Sequence, residues 1–202
     1  MSARSAHLLL LSGLTLAIAS PAVAQFGQSQ GYKFLQAIKD AKGDEVTEAL
    51  NKPGSTVVDA QDYSSRETAL HIVAKRGDTT YTSFLLQKGA NPNLRDAKGN
   101  SPLMVAASVG SEAVVALLIK GKANVNLAND SGETPLIRAV QRRDVAIVRD
   151  LLAAGADPDQ ADSLAGKSAR AYAHDDVRTP ILAKLIDETP KRERRAIAGP
   201  KL

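Results

Sequence analysis

An all-α repeat solenoid is the fold class that the sequence predicts, and three observations predict it. Three segments align at one even spacing: "TALHIVAKRGDTTYTSFLLQKGANPNLRD" from Thr68, "SPLMVAASVGSEAVVALLIKGKANVNLAN" from Ser101 and "TPLIRAVQRRDVAIVRDLLAAGADPDQAD" from Thr134. A fixed period of this length marks stacked supersecondary units, none of which buries its apolar face alone. The apolar slots also agree between copies. Leu70, Leu103 and Leu136, then Val73, Ala106 and Ala139, then Ala74, Ala107 and Val140 stand at i, i+3 and i+4, one face of a short helix. Tyr81, Val114 and Ile147 precede Leu85, Leu118 and Leu151 by one helical turn on a second helix, with Leu86, Ile119 and Leu152 alongside. Finally, the punctuation fits: Pro102 and Pro135 stand where a first helical turn tolerates a missing N–H, behind the capping residues Ser101 and Thr134. Gly77 and Gly110 suit the turn between the helices, Gly89 and Gly155 the left-handed residue that ends the second.

Along the chain, residues 1–24 read as a targeting segment. "MSAR" brings a positive charge, "LLLLSGLTLAIA" from Leu8 to Ala19 is an apolar stretch, and "SPAVAQ" ends in a small-x-small cleavage site after Ala24. The stretch falls well short of the roughly 20 residues that span a bilayer, so export and release into a periplasm is expected, with secretion as the alternative. No cysteine follows to carry a lipid or form a disulfide. Residues 25–33 read as a short linker. An N-terminal cap is expected at 34–61, with a helix from about Phe34, Gly43 at the turn, a second helix ending near Pro53, and "VVDAQD" in the place of "NPNLRD". Repeats follow at 62–95, 96–128 and 129–161, then a C-terminal cap at 162–189 that keeps Gly166, Ser168 and Ala169 but puts Arg170 in a core leucine slot, where an outermost unit could expose it. Residues 190–202 form a basic tail with five cations against Glu193, which leaves the rest of the chain, net charge +4 in all, close to neutral.

Two recurring motifs then carry a resemblance. "DAKGNSPLMVAA" and "NDSGETPLIRAV", together with "LLQKGANPN" and "LLAAGADPD", resemble the paired signatures of the ankyrin repeat family, over about residues 34–189. The resemblance implies antiparallel helix pairs stacked side by side and joined by β-hairpin fingers. It also implies a structural, hydrogen-bonding role for the histidine at His71. Departures from the pattern predict local strain. Arg143 replaces a turn glycine and Lys122 a helix-ending one, with Gly121 one place early; a left-handed non-glycine residue costs about 1–2 kcal/mol. The first finger, "DYSSRET", has one extra residue and no glycine.

The chemical motifs dissolve under internal comparison. Met104 and Ile137 occupy the slot of His71 in the next two copies, so packing, not ligation, is the expectation there. "DPDQAD" (Asp157, Asp159, Asp162) looks like alternating calcium ligands, yet an earlier copy holds Asn91, Asn93 and Asp96 in the same places, and the glycine and distal glutamate of a calcium loop are missing. "GKS" at 166–168 lacks the leading glycine and preceding strand of a phosphate loop, so no nucleotide, metal or other cofactor is expected. With no cysteine or tryptophan and 3% aromatic residues, thiol chemistry and base stacking are closed, and nucleic acid is not an expected partner.

A surface remains. The resemblance implies that positions just before the inter-helix turn face a concave groove: Lys75 and Arg76, then Ser108 and Val109, then Gln141 and Arg142, with Arg138 and Arg143 adding to basic ends around a neutral middle. Fingertip positions Glu67, Ala97, Lys98, Asn100, Asp130, Ser131 and Glu133 lean acidic. The expected function is non-enzymatic protein binding by a monomer, the partner being a protein such as a periplasmic enzyme. The alternatives are a hydrolase or metal-dependent enzyme using surface carboxylates on the same scaffold, and a secreted host-directed effector. The tail is expected to be solvated, with weak contact to an anionic surface as its alternative role.

Overall fold

The computed structural model describes residues 29–189, which form ten α-helices in five antiparallel pairs and one 3-10 turn at Val57–Asp59. These are α1 (Gln30–Lys39) with α2 (Gly43–Asn51), α3 (Ala69–Arg76) with α4 (Thr79–Gln87), α5 (Pro102–Val109) with α6 (Glu112–Lys120), α7 (Pro135–Arg142) with α8 (Val145–Ala153), and α9 (Ala169–Asp175) with α10 (Pro180–Asp187). First helices pack on first helices (α1 on α3, then α5, α7 and α9) and second helices on second helices from α4 onward. The expected leucines, Leu70, Leu103 and Leu136 on the first helices and Leu85, Leu118 and Leu151 on the second, are buried between successive pairs.

Short side chains start the helices. Ser101 Oγ accepts from the Met104 N–H (3.2 Å), Thr134 Oγ1 from Ile137 (3.2 Å) and Ser168 Oγ from Ala171 (3.3 Å), while Asp78 and Asp144 cap α4 and α8. The same chemistry moves one expected boundary. Ser29 Oγ accepts from the Tyr32 N–H, so α1 begins at Gln30, inside the stretch read as linker and ahead of Phe34.

Repeats are joined by a second set of short side chains. Asp59 Oδ1 accepts the Asn91 N–H (2.8 Å), Asn93 Oδ1 the Asn124 N–H (2.7 Å) and Asn126 Oδ1 the Asp157 N–H (2.7 Å). Each bond reaches from one loop to the backbone of the next, which satisfies a donor that would otherwise meet only water. Asp59 holds the place of Asn93, as the alignment of "VVDAQD" with "NPNLRD" requires.

The fingers are tighter than hairpins. Among the described residues they carry two isolated antiparallel bridges, Gln61 with Thr68 and Ala161 with Ser168, and no strand. Backbone bonds stitch neighbours together: Ala97 N–H to Ser65 O, Asp130 N–H to Lys98 O, and Ser163 N–H to Ser131 O. The first finger closes from Asp62 N–H to Glu67 O, one residue longer than Asp96 to Asn100 or Asn129 to Glu133. The fourth, Asp162 to Lys167, shares the extra residue, so that Ser168 falls one place later than the even spacing of Thr68, Ser101 and Thr134 would put it. Among the described residues, four that are not glycine take a left-handed backbone: Ala41, Arg66, Lys122 and Arg143, at φ 55°, 54°, 67° and 61°. Gly121 is displaced for another reason, since a Cβ there would strike Leu86 of the preceding repeat.

Arg170 is not exposed. Its side chain keeps 12% of its surface, with Nε bonded to Asp159 (2.8 Å) and one terminal nitrogen to Asp187 (3.0 Å) and the Ile186 carbonyl (2.9 Å). A guanidinium carries five donors in one plane, enough to hold Asp159, Asp187 and the Ile186 carbonyl together around a slot that leucine fills in the preceding repeats.

Candidate functional site

One face of the stack combines the outward sides of the first helices with the fingers. On α3 every residue from Ala69 to Ala74 except Ile72 is buried, and on α5 every residue from Pro102 to Ala107 except Val105. The helix period then turns Ile72, Lys75 and Arg76 outward together, followed by Val105, Ser108 and Val109 on α5, and by Arg138, Gln141 and Arg142 on α7. The fingers border the same face, because Glu67 lies 3.9 Å from Lys75, Glu133 2.7 Å from Arg138, and Lys167 of the fourth finger 2.9 Å from Asp175.

The groove cations expected from the sequence differ in what they do. Arg76 donates to the Ile38 carbonyl of the preceding pair (3.0 Å) and to Asp78 (2.9 Å), and lies over the Tyr81 ring. Arg142 donates to the Ser108 carbonyl (3.0 Å), its guanidinium filling the space that a side chain at Gly110 would need. Arg143 reaches forward to Asp176 (2.8 Å). Arg138 pairs with Glu133, and its Nε is buried without a protein partner. Lys75 is 71% exposed, and Gln141 also faces solvent. Arginine thus serves as a strap between repeats, an arrangement suited to its rigid fork of donors.

Among the finger residues, Glu133 is only 9% exposed and accepts from Asn129 (3.0 Å) as well as Arg138. Asn100 is half-buried: its carbonyl oxygen accepts from His71 Nε2 (2.9 Å), its side-chain oxygen from Asn129 (3.1 Å), and its amide donates to Asp96 (3.1 Å). Asp130 is paired with Arg95 at 2.7 Å. Lys98 and Arg66 make no ion pair among the described residues. Sequence reasoning missed Arg66, Ile72 and Val105. The two apolar residues were readable as the gaps in the buried helical pattern, and Arg66 as the register partner of Gly99 and Gly132.

His71 is an internal joint, as expected. Its Nδ1 accepts the Thr68 N–H (3.1 Å) and its Nε2 donates to Asn100 of the next finger. Burial pushes its pKa below the ordinary value, against the opposite pull of the Asn100 carbonyl, Asp96 and Glu67. The acids of "DPDQAD" are likewise engaged within the fold. Asp157 accepts from the Asp159 N–H (2.9 Å), Asp159 holds Arg170, and Asp162 accepts from the Leu164 and Ala165 N–H groups and the Tyr172 hydroxyl (2.7 Å). Gly166 and Ser168 of "GKS" are a left-handed turn residue and a helix cap. Among the described residues no three His, Asp or Glu side chains are grouped to hold a metal, and no helix is long and apolar enough to cross a membrane.

The expectations for residues 1–24 and 190–202 lie outside the described residues. No curated protein matches the chain. A family model described as "Ankyrin repeats (3 copies)" does, over residues 34–129 and 70–162, and α9 and α10 continue the stack beyond that match. Proteins built from these repeats are generally protein–protein interaction modules and typically not enzymes. With three matched copies covering more than half of the sequence, and five helix pairs stacked in the manner the motifs imply, the chain belongs to the ankyrin repeat family.

Proposed function

We propose that this protein is a non-enzymatic binding module of the bacterial periplasm, which takes a protein partner on the face formed by its first helices and fingers. The observation that carries the reading is the continuity of that face. Fingers stitched by backbone bonds and helices strapped by Arg76, Arg142 and Arg143 form one pre-organised surface, which loses little freedom when a partner docks. Periplasmic location rests on the leader-like sequence of residues 1–24, and a partner that is itself a periplasmic enzyme suits a binder without chemistry of its own.

A photo-cross-linking amino acid placed at Val109, on this face, and separately at Lys120, on the second-helix side, tests the reading in cells. Cross-links from position 109 to one dominant periplasmic protein, with little from position 120, are the expected result. Adducts from position 120 alone would move the interface to the other side of the stack. Recovery of the chain in the cytoplasmic fraction would reject the location.

A further inference from the structure

The pairing of charges on the helix–finger face narrows the chemistry of its partner, an inference that rests on the function proposed above. The carboxylates of this face are spoken for. Asp130 faces Arg95, Glu133 faces Arg138, Asp175 faces Lys167 and Asp176 faces Arg143, all within 2.9 Å, and Glu67 lies beside Ser65 and Lys75. The exposed fingertip acids are therefore paired in the fold, while Asp96 and Asp162 are taken up by N–H and hydroxyl donors of their own units. The cations are not matched in the same way. The side chains of Arg66 and Lys98 pair with no carboxylate among the described residues, and the Asp96 carboxylate beside Lys98 is held by the Lys98 and Asn100 N–H groups and the Asn100 amide. Lys75 has only a contact of 3.9 Å and stays exposed, and Arg142 spends its donor on a neutral carbonyl, so its charge is uncompensated. Among these four lie Ile72 and Val105, half-buried, and Val109, 41% exposed.

We propose that this face binds an acidic peptide segment of its partner, carrying an apolar side chain that packs on Val109, Val105 and Ile72. Carboxylates on either side of that anchor meet Lys75 and Arg142, and those toward the fingers meet Arg66 and Lys98. From α3 to α7 is two helix spacings, about 16–20 Å, which about six residues of extended chain cover. Carboxylate binding adds no buried unpaired charge to this face, because each new acid meets a cation that the fold leaves open.

A phage-displayed library of random peptides of about twelve residues, selected on the immobilised full chain, tests the proposal. The pool is expected to be rich in Asp and Glu around a Leu, Ile, Val or Phe. The best peptide, synthesised, is expected to lose at least about tenfold in affinity for the chain carrying Lys75→Glu and Lys98→Glu, to lose more when Arg66→Glu and Arg142→Glu are added, and to weaken between about 50 and 500 mM salt. Val109→Gln is expected to weaken it separately. Neither Lys75 nor Lys98 has a side-chain hydrogen bond among the described residues, so the double variant should keep its helical CD spectrum and melting point. A pool rich in Lys and Arg, or without charge, overturns the acidic partner. If that pool still loses binding to Val109→Gln, the face remains an interface; if it ignores every substitution on the face, the proposed function falls as well. Phosphatidylglycerol vesicles that outcompete the best peptide and release the double variant would instead assign the cations to a lipid surface.

Discussion

The central repeats and the last one hold the same helix pair in place by opposite chemistry. In α5 and α7 the slot after the capping turn is filled by Leu103 and Leu136, each fully buried beneath the repeat that follows. In α9, on the last pair among the described residues, the slot holds Arg170, whose guanidinium bridges Asp159, Asp187 and the Ile186 carbonyl. Asp159 occupies the position from which Asn93 and Asn126 accept a backbone N–H of the next repeat. At Asp159 the donor is Arg170 Nε instead. The difference is one of supply: the acceptor that elsewhere bonds the backbone of the next repeat is here satisfied by a side chain of the adjoining helix pair.

Truncating the central slot should have the largest effect. Leu136→Ala is expected to lower unfolding free energy by about 3 kcal/mol, the usual cost of a buried leucine with its cavity, read by urea denaturation. Arg170→Leu is the sharper variant, because it restores the residue type of the central repeats. It is expected to destabilise by about 1–2 kcal/mol, since Asp159 loses its guanidinium, Asp187 keeps only His174, and no described repeat packs over the new leucine. Hydrogen exchange should place the loosening in residues 169–187 and leave α5 and α7 protected. A higher midpoint for Arg170→Leu would show that the slot is governed by hydrophobicity alone and that the two regions do not differ.

Much of this fold was legible because stacking imposes the same demands on every repeat. The leucine slots, the capping Ser and Thr, the turn glycines and the loop asparagines recur, so each copy corrects the reading of its neighbours. What periodicity does not carry was lost. Arg170 read as an exposed end residue because its partners, Asp159 and Asp187, are themselves local to the last unit. The second long finger was hidden by Gly166, which looked regular while the register slipped by one. On the candidate face, the residues were legible and their charges were not. Which arginine is spent on a strap and which remains open depends on a partner in the neighbouring repeat, as Arg143 and Asp176 illustrate.

His71 extends the comparison to pH, because Met104 fills the same slot one repeat on. With its pKa lowered in the fold, the unfolded chain binds the extra proton more readily, so stability contributed by neutral His71 is complete above the ordinary pKa of about 6.5 and declines as pH falls below it. Protonation would also place a hydrogen on Nδ1, which accepts the Thr68 N–H. The melting temperature is expected to fall between pH 7.5 and pH 5.5, and His71→Met to be less stable at pH 7.5 but flatter across that range. An unchanged slope in the variant would mean that His71 is not the titrating group.

The smallest effects should separate two of the strained residues that replace glycines, both at helix ends. Lys122 and Arg143 both sit near φ +60°, where a side chain costs about 1–2 kcal/mol against glycine. Arg143 offsets that cost, because its guanidinium pairs with the largely buried carboxylate of Asp176 and so ties α7 to the last pair. Lys122 has no ion pair among the described residues, so nothing in the fold compensates its strain. Lys122→Gly is therefore expected to raise stability by about 1 kcal/mol, and Arg143→Gly to leave it nearly unchanged as relief of strain and loss of the pair cancel. Combining Arg143→Gly with Asp176→Asn removes the pair from both sides, and stability should then change little beyond the single glycine variant. Equal gains from Lys122→Gly and Arg143→Gly would show that the Arg143 to Asp176 bond contributes nothing to the joint, and that the last repeat is held by Arg170 and its core contacts alone.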